Sequence, residues 1–248
     1  AAVDAASARP GADVIAVANN RTYTAQAISI VDSEPLEILG GFDICLGTQT
    51  GVPTVLDGSG GNAAPVIDHA GSGFLTLRNL RITGGDAVSN AGGIASTGVS
   101  PTTGAARLRL HDVDLVANRG IAGGGLLVVG ASPSLKAVEL VGEVTIAENH
   151  ASEGGGVFAL DAVIVPAFEP RVHVRGNVAE AGDGGGVYLL NSELREGLAC
   201  GTTIERNRSS SRGGGMFVHA RGRRASAFIG SRRPCMTLFA SNEAMQSG

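Results

Sequence analysis

The stretch Asn177-Val-Ala-Glu-Ala-Gly-Asp-Gly-Gly-Gly-Val-Tyr-Leu-Leu190 decides the fold of this 248-residue chain. An asparagine, a short polar spacer, a glycine run and an apolar segment follow one another, and the phrase recurs. Gly92-Gly93-Ile94, Gly123-Gly124-Gly125-Leu126, Gly154-Gly155-Gly156-Val157, Gly184-Gly185-Gly186-Val187 and Gly213-Gly214-Gly215-Met216 carry the runs, and their last glycines lie 32, 31, 30 and 29 residues apart. Asn118, Asn149, Asn177, Asn207 and Asn242 each precede the start of the next glycine run by five to seven residues. A period of this length is the mark of a solenoid.

Within one period, three apolar pieces are separated by Gly, Pro, Ser and Asn: Gly125 to Gly130, Ser134 to Leu140 and Val144 to Ala147. Short apolar runs between turn formers read as strands, and no helical periodicity competes. The fold expected is all-β, a right-handed parallel β-helix of about eight coils, each stacked about 4.8 Å from the next. Val113/Leu115, Val144/Ile146, Val172/Val174, Thr202/Ile204 and Thr237/Phe239 stand five and three residues before their asparagines. They are expected to face inward and stack. The asparagines are expected to form a hydrogen-bonded ladder and to take the left-handed backbone conformation of the turn. The glycines are expected to supply positive φ and close backbone approach.

The whole chain reads as one domain, with residues 75–248 as regular repeats. Residues 1–74 lack the asparagine–glycine pairing and are expected to form irregular coils that close the N-terminal end of the core. Strands are expected at Asp13-Val-Ile-Ala-Val-Ala, Ala27-Ile-Ser-Ile-Val, Leu36-Glu-Ile-Leu and Pro53-Thr-Val-Leu, with a protruding loop between Gly40 and Gly51.

Composition narrows the function. Apolar residues make up 43% of the chain and charged residues 17%, which fits a folded protein rather than a disordered glycine-rich one. The net charge of −4 hides nine arginines between Arg195 and Arg233, set against Glu196 and Glu205. We read these as solvated turn residues and expect no nucleic-acid partner. No run of about 20 apolar residues is present, so no transmembrane helix is expected. The start, Ala-Ala-Val-Asp, has no basic stretch followed by an apolar core and is not read as a signal peptide. The glycine runs lack the Lys-Ser/Thr of a nucleotide-binding loop, and no zinc spacing joins the cysteines and histidines. No cofactor and no metal are expected.

Two outward columns are candidates for function. Six residues before the asparagines stand Asp112, Glu143 and Arg171, and four before them stand Asp114, Thr145 and His173. Three carboxylates, an arginine and a histidine on one face could serve as general acid and base on a polysaccharide. The second column follows the glycines: Leu127, Phe158, Tyr188 and Phe217, each the second residue after its run. If the residues on either side point inward, this column points out. An exposed apolar stripe marks an interface, and aromatic stacks also bind sugars.

The glycine runs alternating with Phe239-Ala-Ser-Asn242 resemble the repeat of polymorphic outer membrane proteins, autotransporter adhesins with β-helix passengers. Leu115, Ile146, Val174 and Ile204 hold the phenylalanine position in the other copies. The opening Gly11-Ala-Asp-Val-Ile-Ala-Val, followed by Thr22-Tyr-Thr, is similar to the first coils of many secreted β-helix proteins. The resemblance implies a protein that is secreted or on a bacterial outer surface and works as a non-enzymatic adhesion or binding module for a protein or glycan ligand. The alternative is a polysaccharide lyase or glycoside hydrolase acting from the acidic face.

Cys200 and Cys235 each stand seven residues before a ladder asparagine, Asn207 and Asn242. Equivalent positions on consecutive coils fall within disulfide reach, so a Cys200–Cys235 bond is expected, with Cys45 left over. The sequence ends on Gly248, at the place of the first glycine of another run. This predicts an unfinished repeat, with the open end covered by a second chain that continues the helix or by self-association.

Overall fold

In the computed structural model the described residues are 2–44, 47–61, 63–98, 107–130, 136–166, 171–194, 202–221, 225–227 and 237–245. All three cysteines lie outside them, and with them the expected disulfide.

Why the glycine-led segments form strands follows from their composition: each is three or four mostly apolar residues, rich in Val, Ile, Leu, Phe and Tyr, held between turns. Ile28–Ile30, Ile67–His69, Ile94–Ser96, Leu126–Val129, Val157–Leu160, Val187–Leu190 and Met216–His219 pair in parallel into one sheet. Of these seven strands, five follow a glycine run. The chain is a parallel β-helix with about five turns, fewer than the eight expected.

A second sheet of twelve strands wraps two sides of the coil. Leu75–Thr83, Leu108–Val116 and Lys136–Ala147 each run as one strand along both sides and pair with one another in that order. The two strands expected at Ser134–Leu140 and Val144–Ala147 are therefore one, with a register shift between Val141 and Val144. The bend comes from a stack of left-handed residues at equivalent places: Gly41 at φ 87°, Asn79 at 52°, Asp112 at 54° and Gly142 at 66°. In the following coil the two parts are separate strands, Val163–Pro166 and Arg171–Arg175. A third sheet consists of four two-residue strands directly after the asparagines: His150–Ala151, Val178–Ala179, Arg208–Ser209 and Glu243–Ala244.

The strands expected in the N-terminal region are present as Asp13–Ala18, Ile28–Ile30, Leu36–Phe42 and Thr54–Asp57. Ahead of them Ala2–Ser7 forms a single helical segment whose Val3 and Ala6 pack on the end of the core. Six residues are too few to show helical periodicity in a sequence.

The main core is built from like-on-like columns. Leu75, Leu108 and Val138 are buried one above the other, as are Leu80, Val113 and Val144, and Ile82, Leu115 and Ile146 follow the same pattern. Each strand alternates inward apolar and outward polar residues, so parallel stacking puts one inward side chain directly on the next.

At the asparagine corner, Asn118 Nδ2 donates to Asn149 Oδ1 at 3.1 Å, Asn149 to Asn177 at 3.0 Å, Asn177 to Asn207 at 2.9 Å and Asn207 to Asn242 at 3.0 Å. The second Nδ2 proton goes to a strand carbonyl of the preceding coil: Ile82, Leu115, Ile146, Val174 and Ile204 in turn. Each Oδ1 also accepts the backbone N–H of the asparagine before it, and Asn118 Oδ1 accepts from Gly85, which holds the equivalent corner one coil earlier. The left-handed residue is not the asparagine, as expected, but the one before it: Ala117, Glu148, Gly176, Arg206 and Ser241, at φ between 52° and 63°. That turn tilts the asparagine side chain into the coil, where Asn149, Asn177 and Asn207 are completely buried.

The glycines of a run divide the work. The first takes positive φ at Gly123, Gly154, Gly184 and Gly213. The second meets backbone of the next coil: a Cβ on Gly155 would lie 2.5 Å from Gly185 O. The third lies against the ladder, where a Cβ on Gly156 would fall 3.0 Å from Asn177 Nδ2 and one on Gly186 3.0 Å from Asn207 Nδ2.

Two stability tests follow from this division. Gly185→Ala drives a methyl into the backbone oxygens of Arg208 and Gly214, and is expected to cost about 3 kcal/mol or more in denaturant unfolding. Gly176→Ala only adopts a left-handed φ that Ala117 already holds, with Glu148 Cγ 3.7 Å away, and is expected to cost about 1 kcal/mol. Equal costs would refute the division. Thr202 sits inward two residues before Ile204, as Val172 does before Val174, and its buried Oγ1 has no hydrogen-bond partner among the described residues. Thr202→Val is expected to raise stability by about 1 kcal/mol, and a loss on thermal unfolding would contradict this.

Candidate functional site

The acidic column lies where strand alternation puts it, on the outer side of the second sheet. Glu143 pairs in register with Arg171, and Asp114 with Thr145, which pairs with His173. Asp112, Glu143 and Arg171 are exposed, while Asp114, Thr145 and His173 are half-buried. The structure therefore brings the five expected residues onto one face spanning three coils.

Their hydrogen bonds are local. Asp112 is one of the left-handed corner residues, and its Oδ1 accepts the Glu143 backbone N–H at 2.9 Å. Its other carboxylate oxygen stands 3.2 Å from His111 Nε2. His173 Nδ1 is 2.9 Å from the Thr203 hydroxyl of the next coil. Asp112 thus holds the bend of the second sheet, a role that sequence spacing did not reveal because the bend itself was not visible. A surface cavity of about 350 Å³ lies elsewhere, between Gly58–Gly61 and Gly84–Asp86. Among the described residues no group of three or more His, Cys, Asp or Glu is placed to hold a metal ion.

The second column is not an exposed stripe. Val157 and Ala159 belong to the main core and Phe158 does not, so the alternation is as expected. Yet Leu127 is 6% exposed, Phe158 8% and Tyr188 3%. With Ala91 and Ala95 they form a second apolar cluster on the far side of the sheet, and Phe217 packs at its end. Phe158 and Tyr188 meet edge to face at 4.9 Å, and Tyr188 and Phe217 at 5.3 Å. The cover comes from the segments between asparagine and glycine. Ala122 packs on the cluster, and the Arg212 guanidinium lies 4.4 Å above the Phe217 ring. Asp183 pins Arg212 there through two hydrogen bonds, at 3.1 and 2.6 Å. Partial burial acts to raise the Asp183 carboxyl, but the hydrogen bonds from Arg212 and Ser211 outweigh it and hold the group below its ordinary value.

On the same corner, Arg119 reaches across two coils to Glu180, with its two terminal nitrogens at 2.9 and 2.6 Å from the two carboxylate oxygens. His150, on the coil between, stands 3.1 Å from Glu180 Oε1. Desolvation works to raise the Glu180 carboxyl, and the hydrogen bonds of His150 and Arg119 overcome it, leaving the group below its ordinary value.

A buried polar group was not anticipated. His69 and Ser96 occupy an inward column whose other buried members are Ile30, Val128, Ala159 and Leu189. Arg107 joins them at 1% exposure. The sequence signal was available, since His69 and Ser96 follow Ile67 and Ile94 at the same spacing as Val128 follows Leu126, but the first two coils lack a full glycine–asparagine frame to align them.

Because the aromatic column is a core, Tyr188→Ala is expected to cost about 3 kcal/mol, measured by urea unfolding. A variant as stable as the parent would restore the reading of an exposed stripe.

No protein-family model, no curated protein and no solved structure matches this chain.

Proposed function

We propose that the protein is a secreted or cell-surface β-helix that works as a non-enzymatic binding module, presenting the polar outer face of its second sheet to a protein or glycan surface. One observation carries this reading. The side chains best suited to acid–base chemistry stand on an even strand face, one per coil, and bond to neighbouring backbone and hydroxyl groups rather than converging on a cleft. A general acid and base need a shared substrate within hydrogen-bond reach. A flat lattice of Arg81, Asp114, Thr145, His173 and Thr203, one residue per coil, suits repeated weak contacts along an extended ligand instead. The likeness of the repeat to surface adhesins supports the same assignment.

The competing reading is a polysaccharide lyase or hydrolase, supported by the side-by-side register of Glu143 and Arg171. A glycan array run with a parallel reducing-end and unsaturated-product assay separates the two. Binding without turnover is expected. Asp114→Ala with His173→Ala should weaken binding about tenfold, corresponding to about 1.4 kcal/mol. Turnover that disappears in Glu143→Gln would establish the enzyme instead.

A further inference from the structure

The interior of a parallel β-helix stacks like on like, so two polar residues in one inward column need an explanation. His69 Nε2 lies 3.1 Å from Gly73 O, a group that can only accept, so Nε2 carries the ring proton. His69 Nδ1 is then a lone pair, and it faces the Ser96 hydroxyl at 3.3 Å. Ser96 Oγ donates to it and accepts from Arg107 Nη2. Arg107 Nη1 donates to Gly71 O at 3.2 Å. The hydrogen bonds run in one direction, from Arg107 through Ser96 to the neutral imidazole, and two further bonds hold the turn of residues 70–73.

We propose that His69, Ser96 and Arg107 form an acid-sensitive latch, which ties the turn at residues 70–73 to the neighbouring coil while the imidazole is neutral and releases it when the imidazole is protonated. A proton on Nδ1 would face the Ser96 hydroxyl hydrogen, and the bond between them would be lost unless the hydroxyl turned away. It would also put a second cation beside the Arg107 guanidinium in a site closed to water, where charge is costly. His69 is 1% exposed and Arg107 1%, so neither cation could be solvated without opening the turn.

The surrounding charges do not relieve this. On the same strand Asp68 occupies the neighbouring outward column, and burial pushes its carboxyl up. Asp32 and Glu34 lie on the turn beneath Gly71 and Gly73, which they meet through their backbone. Strands Ile28–Ile30 and Ile94–Ser96 carry no charged residue, and Arg78, Arg81 and Arg109 of the adjoining strands are cations at outward positions. Desolvation, then Arg107, lowers the His69 pKa from 6.5 to about 4. Burial also lowers Arg107, to about 10, so it stays charged throughout the acid range.

The sign follows. The open turn binds a proton below about pH 6.5 and the closed turn does not until about pH 4, so closure is complete above pH 6.5 and weakens as pH falls towards 4. The reporters are the amides of Ala70 and Gly71, bonded to Ile30 O, of Gly73, bonded to Asp32 O, and of Thr97, bonded to His69 O. Hydrogen exchange of the intact chain at pH 7 and pH 4, corrected for intrinsic rates, should show these amides opening about 100-fold more often in acid, with the amides of Val157 and Val187 unchanged. In His69→Gln the acid response should vanish. A wild-type acceleration under threefold, or an equal acceleration in His69→Gln, overturns the proposal. Should that variant fail to fold, the wild-type imidazole titrated by NMR decides: a midpoint near 4 supports the latch, and one at 6 or above removes it.

Discussion

The contact between each ladder asparagine and the third glycine of the run that opens its turn is the constraint on which the rest of the structure depends. The asparagine amide satisfies both of its protons and its oxygen inside the corner, which a buried amide must do. To reach that position it needs a left-handed residue before it, and it needs room. The room is the space that a side chain on Gly93, Gly125, Gly156, Gly186 or Gly215 would fill. Glycine and asparagine therefore recur together because one occupies the volume that the other leaves open. With the corner fixed, the strands before it and after it are fixed in register, and a slip of one residue would turn every inward side chain outward.

The same corner explains why the aromatic column is interior. Five to seven residues separate each asparagine from its glycines, more than a tight turn needs. The surplus folds back over the outer side of the glycine-led strand and covers Leu127, Phe158 and Tyr188. Arg212, held by Asp183, closes the end of that column over Phe217. The molecule thus has two apolar clusters divided by one sheet. The sheet is buried on both sides, as parallel strands usually are.

The period, the strand positions and the inward rows could be read from the sequence because they rest on residue type and spacing alone. Val113, Val144 and Val172 repeat against a countable marker, and alternation decides their side. What could not be read depends on things that spacing does not encode. Alternation places Phe158 outside the main core, but whether an outward side chain meets solvent is decided by the path of another segment. The left-handed residue precedes the asparagine because a corner can be turned at either position, and Ala117, Glu148, Arg206 and Ser241 share no side-chain chemistry that would mark it. Asp112 looked like an acid in a column of acids. Its role at the bend became visible only with Gly41, Asn79 and Gly142 stacked beside it. The acidic face itself was legible in the sequence, whereas the partners that occupy its groups were not.

In a stack of equivalent rungs, the residues that break the column carry more information than those that keep it. Most inward positions are interchangeable aliphatics, and a substitution there changes stability without changing what the coil can do. His69, Ser96 and Arg107 are different, since a polar chain in an apolar column works only as a complete set: remove one member and the others are left buried and unpaired. An aliphatic residue at position 69, such as the isoleucine one coil earlier at Ile30, would fill the column without that dependence. The polar set is also placed at the passage from the irregular N-terminal coils to the regular repeat, where the glycine–asparagine corner has not yet taken over the fixing of register. There a directed chain of hydrogen bonds supplies the positional definition that the ladder supplies further along, and it does so with a group whose charge depends on the surroundings.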